Sequence, residues 1–173
     1  MNRSLQRAFT LVELLTAIAI LSVLLGITVP SFSALIERNQ QKSATHELLA
    51  ALHHARGLAI TRREFVSICA GTDKCSSSAN WKQNILIFSD PNQNGQFDAD
   101  EQLHRVVTLV DRYHWNWNNF RSKTFMTFKA NGTTDSLNGT YTLCSGNKAI
   151  QRLVINITGR LRTESPQNHN ACN

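Results

Sequence analysis

The sequence predicts an α+β fold in which one long N-terminal helix packs on an antiparallel β-sheet. Apolar residues recur at helical spacing over residues 35–62, directly after an apolar run that starts near the N-terminus. The rest of the 173-residue chain carries short β-rich segments separated by turn residues. A long helix followed by short antiparallel strands is the α+β arrangement, and a chain of this length has room for one small core.

The N-terminal segment consists of a basic head followed by an apolar helix of membrane length. Residues 1–8 carry Arg3 and Arg7, and residues 9–32 contain one charged side chain, Glu13. A helix of about 24 residues, at about 1.5 Å per residue, spans the roughly 30 Å hydrocarbon core of a membrane. Because an ionised carboxylate in hydrocarbon costs several kcal/mol, we expect Glu13 to have a positively charged partner.

The segment RAFTLVELL, from Arg7 to Leu15, resembles the class III prepilin signal of type IV pilins and type II secretion pseudopilins. The resemblance implies that residues 1–8 are a leader, that a prepilin peptidase cuts between Ala8 and Phe9, and that the new amine is methylated. Glu13 becomes the fifth mature residue and pairs with that amine in a neighbouring subunit. Such proteins wait in the bacterial inner membrane as single-pass proteins with a periplasmic domain, then join a pilus at the cell surface.

Residues 33–173 are predicted to form one domain, which begins with a continuation of the helix to about residue 62. Gly26 and Pro30 are the expected bend points of that helix. The apolar stripe consists of Leu35, Ala44, Leu48, Leu52, Ala55 and Ala59. Strands are predicted at 65–69, 84–89, 102–109, 124–128, 140–144 and 152–157, with Asn-Gly turns at 94–95, 131–132 and 138–139.

The four cysteines are predicted to form disulfides rather than a zinc site, because they lie beyond a membrane anchor and the six histidines are scattered. Three pairings are open. We expect Cys69–Cys75, which would close a short loop, and Cys144–Cys172, which would fix the C-terminal tail. The formal charge of +6 is compatible with a polyanionic partner.

Beyond its N-terminus the chain resembles the minor pilin group that contains FimT, FimU and the pseudopilin GspH, and it is most similar to FimT. The resemblance is carried by TRREFVSICAGTDKC, IFSDPNQNGQFDADEQL, TFKANGTTD and LVINITGRLR. Within the last segment, Gly159-Arg160-Leu161-Arg162 matches the G-R-x-R motif of FimT-type pilins, which bind DNA for uptake in natural transformation. The resemblance therefore implies that Arg160 and Arg162 bind DNA.

In an extended segment the two arginines of this motif project to the same face, where forked hydrogen bonds can hold phosphate oxygens. Spacing alone favours a simpler explanation, in which arginines on an edge strand deter aggregation. Lys148 and Arg152 would widen a DNA-binding patch, and so would Arg121, Lys123 and Lys129. Contacts to phosphate would bind DNA without sequence preference and weaken with salt.

An aromatic cluster at residues 113–117 and a loop at residues 90–101 can each be explained by structure alone or by a binding function. Tyr113, Trp115 and Trp117 could stack on the bases of a single strand, but their alternation favours the inward face of a strand. The loop 90–101 fits a calcium-binding pattern, but its flanks are strand-like where an EF-hand has helices, so a hairpin with a tight turn at Asn94-Gly95 is favoured. Its candidate calcium ligands are Asp90, Asn92, Asn94, Asp98 and Glu101.

No enzyme motif and no cofactor motif is found in the sequence, so we expect neither catalysis nor a cofactor. The sequence favours a minor pilin whose partners are DNA, other pilins, the prepilin peptidase and the inner membrane. One alternative is a structural subunit, similar to FimU or GspH, that primes filament assembly at the tip or serves type II secretion. A second alternative is a filament subunit stabilised by calcium.

Overall fold

The computed structural model describes residues 10–166 and residue 172, without the side chains of residues 27–30. Over this part of the chain, one helix precedes nine strands, so the predicted α+β class is confirmed. The helix α1 spans Leu11–Arg62, and the strands are β1 Val66–Ala70, β2 Asn80–Trp81, β3 Asn84–Ser89, β4 Leu103–Thr108, β5 His114–Asn119, β6 Phe125–Phe128, β7 Gly139–Ser145, β8 Lys148–Ile155 and β9 Leu161–Glu164.

Helix α1 begins at a side-chain cap and ends at a left-handed residue. The Thr10 hydroxyl accepts a hydrogen bond from the Glu13 amide (3.3 Å), and Arg63 adopts a φ of 57° directly after the helix. The helix runs through Gly26 and Pro30. Its apolar part has a mean hydropathy of 2.4 and contains no buried residue. By length and composition, it could cross a membrane.

The chain divides into two compact units after Gln40, within α1. In the second unit the helical residues Ala44, Leu48, Leu52, Ala55 and Ala59 are buried in the same core cluster as the strands, as the apolar stripe predicts. Leu35, which was predicted to join them, is 53% exposed. The prediction for Leu35 was wrong because the buried cluster does not extend that far towards the N-terminus.

The strands form two antiparallel sheets rather than the single sheet that the sequence suggested. One sheet has the strand order β4-β3-β1-β6, and the other has the order β2-β5-β7-β8-β9. Aromatic rings fill the core between them. Trp117 stacks on Tyr141 at a centroid distance of 3.9 Å, and its indole nitrogen donates a hydrogen bond to the Phe125 carbonyl in the other sheet (3.2 Å).

Tyr113, Trp115 and Trp117 are all at most 3% exposed, which confirms that they belong to the core. Because their faces are covered by protein, these three rings are not available to stack on a nucleic acid. Any base-stacking side chain of this protein must lie elsewhere.

The predicted glycine turns have different outcomes. Gly132 adopts a φ of 76° and its amide bonds the Lys129 carbonyl (2.8 Å), so the turn at 131–132 is confirmed. Gly95 bends a loop that runs from Ser89 to Leu103, rather than a two-residue hairpin. Gly139 marks no turn, because it begins β7, where a Cβ atom would collide with the Asn118 carbonyl oxygen. At this position glycine allows two backbones to approach closely.

Both expected disulfides are present. Cys69 bonds Cys75, and Cys144 bonds Cys172, so no cysteine is free. The first closes a short loop after β1. The second attaches the C-terminal end of the chain to β7.

A buried histidine connects the end of α1 to the first sheet. The His104 side chain is 5% exposed, and its Nε2 atom lies 2.7 Å from Ser89 Oγ and 3.6 Å from Glu64 Oε1. The Ser89 hydroxyl also donates to Glu64 (2.7 Å). Burial lowers the pKa of His104 and the Arg62 guanidinium lowers it further, while Glu64 opposes both effects.

Acidification is therefore expected to destabilise the fold. A histidine whose folded-state pKa lies below its usual 6.5 binds its proton more readily in the unfolded chain, so stability is lost as the pH falls below that value. Urea unfolding of the full chain in non-ionic micelles should give a smaller free energy of unfolding at about pH 5.5 than at about pH 7.5.

The variant His104→Gln should lose less stability over the same interval. Some stability should still be lost on acidification of this variant, because burial and Lys82 lower the pKa of His114 as well. An unchanged pH dependence in His104→Gln would show that His104 is not responsible.

Candidate functional site

Strand register places Arg162 on the outward face of the five-stranded sheet. Trp117, Tyr141 and Leu153 point into the core, so their neighbours along each strand face the other way. Directly opposite one another on that outward face stand Asn118 of β5, Thr140 of β7, Val154 of β8 and Arg162 of β9. We call these four residues the outward row.

The turn between β8 and β9 positions Arg160. Asn156 Oδ1 accepts hydrogen bonds from the Arg160 amide (2.9 Å) and from the Thr158 hydroxyl (2.8 Å). The Asn156 amide in turn donates to the Arg160 carbonyl (3.2 Å), and Gly159 adopts a φ of 74°. Arg160 is exposed, and it forms no ion pair within residues 10–166.

Arg56 of α1 fixes this turn to the rest of the fold. Its Nε donates to the Gly132 carbonyl (2.8 Å) and its Nη2 to the Thr158 carbonyl (3.1 Å). No sequence pattern points to Arg56, because it lies far from the turn along the chain. Asn156 does carry a sequence signal, because an asparagine shortly before a glycine is typical of a turn.

The carboxylate of Glu164 partly neutralises the positive charge of Arg152 and Arg162. Its Oε1 atom lies 2.7 Å from Arg162 Nε, and its Oε2 atom lies 3.6 Å from Arg152 Nη1. The sheet therefore brings Arg152 and Arg162 together, and they share one carboxylate. An incoming anion would compete with Glu164 for both guanidiniums.

The other predicted cations lie apart or are paired. Lys148 begins β8 opposite Ser145, six residues from Val154, or about 20 Å along the strand. It therefore does not join Arg160 and Arg162 in one cluster. The carboxylate of Asp135 pairs with Lys129 (2.8 Å) and with Arg121 (3.1 Å), and these cations lower its pKa. Lys123 lies over the Phe125 ring.

The loop 90–101 is held together by its own hydrogen bonds. Asp90 is fully buried, and its carboxyl group accepts hydrogen bonds from the Ser67 hydroxyl (2.5 Å) and from the amides of Asn94 (3.1 Å) and Gly95 (3.0 Å). Ser67 also lies 2.6 Å from the Thr127 hydroxyl. Asp90 thus joins the loop to β1 and β6.

The remaining candidate calcium ligands also form hydrogen bonds within the loop. The side-chain amides of Asn92 and Asn94 donate to Asp98 Oδ2 at 3.0 and 2.8 Å, which lowers the pKa of Asp98. Glu101 Oε2 accepts from the Asp98 amide (3.1 Å), whereas Glu101 Oε1 is buried without a hydrogen-bond partner in the described part of the chain. In the described part of the chain, no group of three or more His, Cys, Asp or Glu side chains could hold a metal ion. The geometry gives the loop a structural role and does not favour the calcium interpretation.

At the other end of the chain, the described residues begin just after the predicted processing site. Ala8 and Phe9 lie outside them. Glu13 stands in the first turn of α1 and is exposed, where a partner from a neighbouring subunit could reach it.

Comparison with known proteins agrees with this architecture. Residues 44–159 match the family described as type II transport protein GspH, and residues 3–29 match the prokaryotic N-terminal methylation motif. Over 98 residues the chain is 33% identical to the pilin-like protein PilA1 of Thermus thermophilus, and it spans 57% of the length of that relative.

Two crystal structures of the type IV minor pilin FimU of Pseudomonas aeruginosa have the same fold. One is 26% identical with a TM-score of 0.60, covering 78% of this chain and 98% of FimU. The other is 25% identical with a TM-score of 0.55, covering 73% and 98%. The predicted resemblance to the group of GspH and FimU, with its long helix and antiparallel sheets, is confirmed.

Proposed function

Because this chain belongs to the family of the type II transport protein GspH, we propose that it is a FimT-like minor pilin that binds DNA without sequence preference for uptake in natural transformation. The established part of this proposal is that the chain belongs to the group of minor pilins and pseudopilins. DNA binding rests on one observation, the exposed pair Arg160 and Arg162 at the edge of the five-stranded sheet. The role is one of binding and assembly, without catalysis.

The geometry at the sheet edge supports binding to a phosphate backbone. Arg160 and Arg162 are separated by one residue, and both are exposed. Guanidinium groups form short, forked hydrogen bonds with phosphate oxygens. Arg160 is held by the bonded turn of Asn156 and Gly159, so less conformational freedom is lost when it binds. Arg162 would exchange Glu164 for a phosphate oxygen.

The N-terminal helix would first anchor the subunit in the membrane and then pack in the filament. In this proposal residues 1–8 are removed, and the apolar part of α1 holds the subunit in the inner membrane. The amine of Phe9 then neutralises Glu13 of a neighbouring pilin during assembly, because a lone carboxylate among apolar helices is costly. DNA held at the sheet edge is drawn inward when the filament retracts.

A structural role is the second candidate. The similarity to FimU and to the GspH family favours a subunit that primes assembly or serves a type II secretion pseudopilus. Such a subunit contacts protein partners and needs no DNA-binding surface. The two roles differ in what is lost when Arg160 and Arg162 are neutralised.

The double variant Arg160→Gln with Arg162→Gln is expected to bind duplex DNA at least about tenfold more weakly at low salt. Two lost phosphate contacts should also reduce the slope of log affinity against log salt by about 1.8. Mobility shifts of the full chain in non-ionic micelles, across salt concentrations, measure both quantities. In cells, transformation should fall while piliation stays normal.

A matched control removes two exposed positive charges outside the five-stranded sheet, with Arg105→Gln on β4 and Lys74→Gln in the loop after β1, and should leave affinity nearly unchanged. Equal losses in both variants would mean that net charge, and not this edge, attracts DNA. No binding by the wild type at low salt would refute the proposal and leave the structural role.

A further inference from the structure

A shallow trough lies on the outward face of the five-stranded sheet, where β7 begins and β8 ends. Its floor includes Thr140 and Val154 of the outward row, together with Ile157. Towards the sheet edge it deepens into a cleft of about 320 Å³ between Val154, Asn156 and the two arginines. Val154 and Asn156 line both parts, so the surface is continuous.

A second row of residues runs along this trough beyond the strand ends. Asn119 is buried and pairs with Gly139, which pairs with Ile155, so the next residues on these strands return to the outward side. Hydrogen bonds continue the order, from the Phe120 amide to the Asn138 carbonyl (3.1 Å) and from the Asn156 amide to the Arg160 carbonyl (3.2 Å). We call Phe120, Asn138, Asn156 and Arg160 the end row.

Phe120 is 80% exposed, the largest exposed fraction among the described large apolar side chains. It stands at the opposite end of the end row from Arg160. Since neighbouring strands are about 4.8 Å apart, three strand spacings separate the two residues by roughly 15 Å. Phe120 therefore stands next to Asn138, which lines one part of the trough, while the two arginines line the cleft at the sheet edge.

This arrangement matches single-stranded DNA better than a duplex. A single strand presents free base faces that stack on exposed aromatic rings, together with phosphates that pair with cations. A duplex hides its base faces within the stack and could use only the arginines. The apolar floor and the side-chain amides of Asn138 and Asn156 suit a base and its polar edge.

We propose that the trough and the neighbouring Phe120 together bind single-stranded DNA, with a base stacked on Phe120 and phosphates held by Arg160 and Arg162. This inference deepens the proposed function and rests on it. It assigns Phe120 as the residue that discriminates a single strand, such as a frayed or processed end, from the duplex.

The test compares three labelled ligands by fluorescence anisotropy with the full chain in non-ionic micelles. The ligands are a mixed-sequence single strand, a duplex of the same length, and an abasic strand with the same number of phosphates. The wild type should bind the single strand more tightly than the abasic strand. Phe120→Ala should weaken single-strand binding by roughly tenfold to a hundredfold and leave the other two ligands unchanged.

Two further variants make the result specific. Phe120→Trp should retain single-strand binding, because it keeps an aromatic face. Val106→Ala removes an exposed apolar side chain from β4 of the other sheet and should change nothing.

Equal affinity of the wild type for the single strand and the abasic strand would overturn the inference. So would an unchanged single-strand affinity in Phe120→Ala, and a loss of piliation in that variant would then identify Phe120 as a contact with another pilin. In either case, duplex binding that still depends on Arg160 and Arg162 would leave the proposed function intact. Loss of that dependence would refute the proposed function itself.

Discussion

Asp90→Ala should destabilise the folded domain by about 3 to 5 kcal/mol. The substitution leaves the buried Ser67 hydroxyl and the Gly95 amide without their carboxylate acceptor, at about 1 to 3 kcal/mol for each buried group that stays unpaired. The exposed Asn94 amide keeps Asn92 Oδ1 as an acceptor (3.0 Å). The loop between β3 and β4 would also lose its attachment to β1. Urea unfolding of the full chain in micelles, followed by tryptophan fluorescence, measures the difference.

Asp100→Ala is the matched control, because Asp100 is an exposed carboxylate in the same loop and should cost little. Asp90→Asn should lie between the two, since its amide keeps one acceptor oxygen. A loss below about 1 kcal/mol in Asp90→Ala would mean that water replaces the carboxyl group and that this loop does not support the fold.

The same experiment decides the calcium alternative. Calcium that binds only the folded state would raise the unfolding midpoint. We expect no such shift in the wild type, because Asp98 already accepts hydrogen bonds from Asn92 and Asn94. A shift that disappears in Asp98→Ala would restore the calcium interpretation.

Gly159→Ala should damage both stability and DNA binding. Gly159 adopts a φ of 74°, and a Cβ atom there would collide with the Gly132 carbonyl oxygen and lie 3.0 Å from Arg56 Nε. The left-handed backbone alone costs an alanine about 1 to 2 kcal/mol. Because a backbone atom blocks the new methyl group, the turn must also move and displace Arg160.

The expected result is a destabilisation of about 2 kcal/mol or more, together with weaker binding to duplex DNA at conditions where the variant is fully folded. Gly146→Ala is the control. Gly146 also has a positive φ, of 56°, but a Cβ atom there would meet nothing within 4 Å. It should lose only the backbone cost and bind DNA normally. Equal effects of both variants would show that the close approach at Gly159 does not position Arg160.

Local pattern was sufficient where one residue type repeats with the period of one element. The buried stripe of α1 and the apolar run that becomes β3 at Asn84–Ser89 are of this kind. The pattern was insufficient for Leu35, since helical spacing does not say where the core ends. It was also insufficient for Gly139, because an Asn-Gly pair reads as a turn unless the neighbouring backbone is known.

The sequence alone determined that this protein has a long apolar helix, a family-type N-terminal signal, an even set of cysteines and two arginines one residue apart. Each of these is a property of neighbouring residues. Only the tertiary structure decided that Glu164 shares Arg152 and Arg162, that Arg56 holds the turn of Arg160, and that Phe120 stands across the sheet from it. Such contacts join parts of the chain that are distant in sequence. They form because the order of the strands in the sheet and the packing of the core bring these parts together.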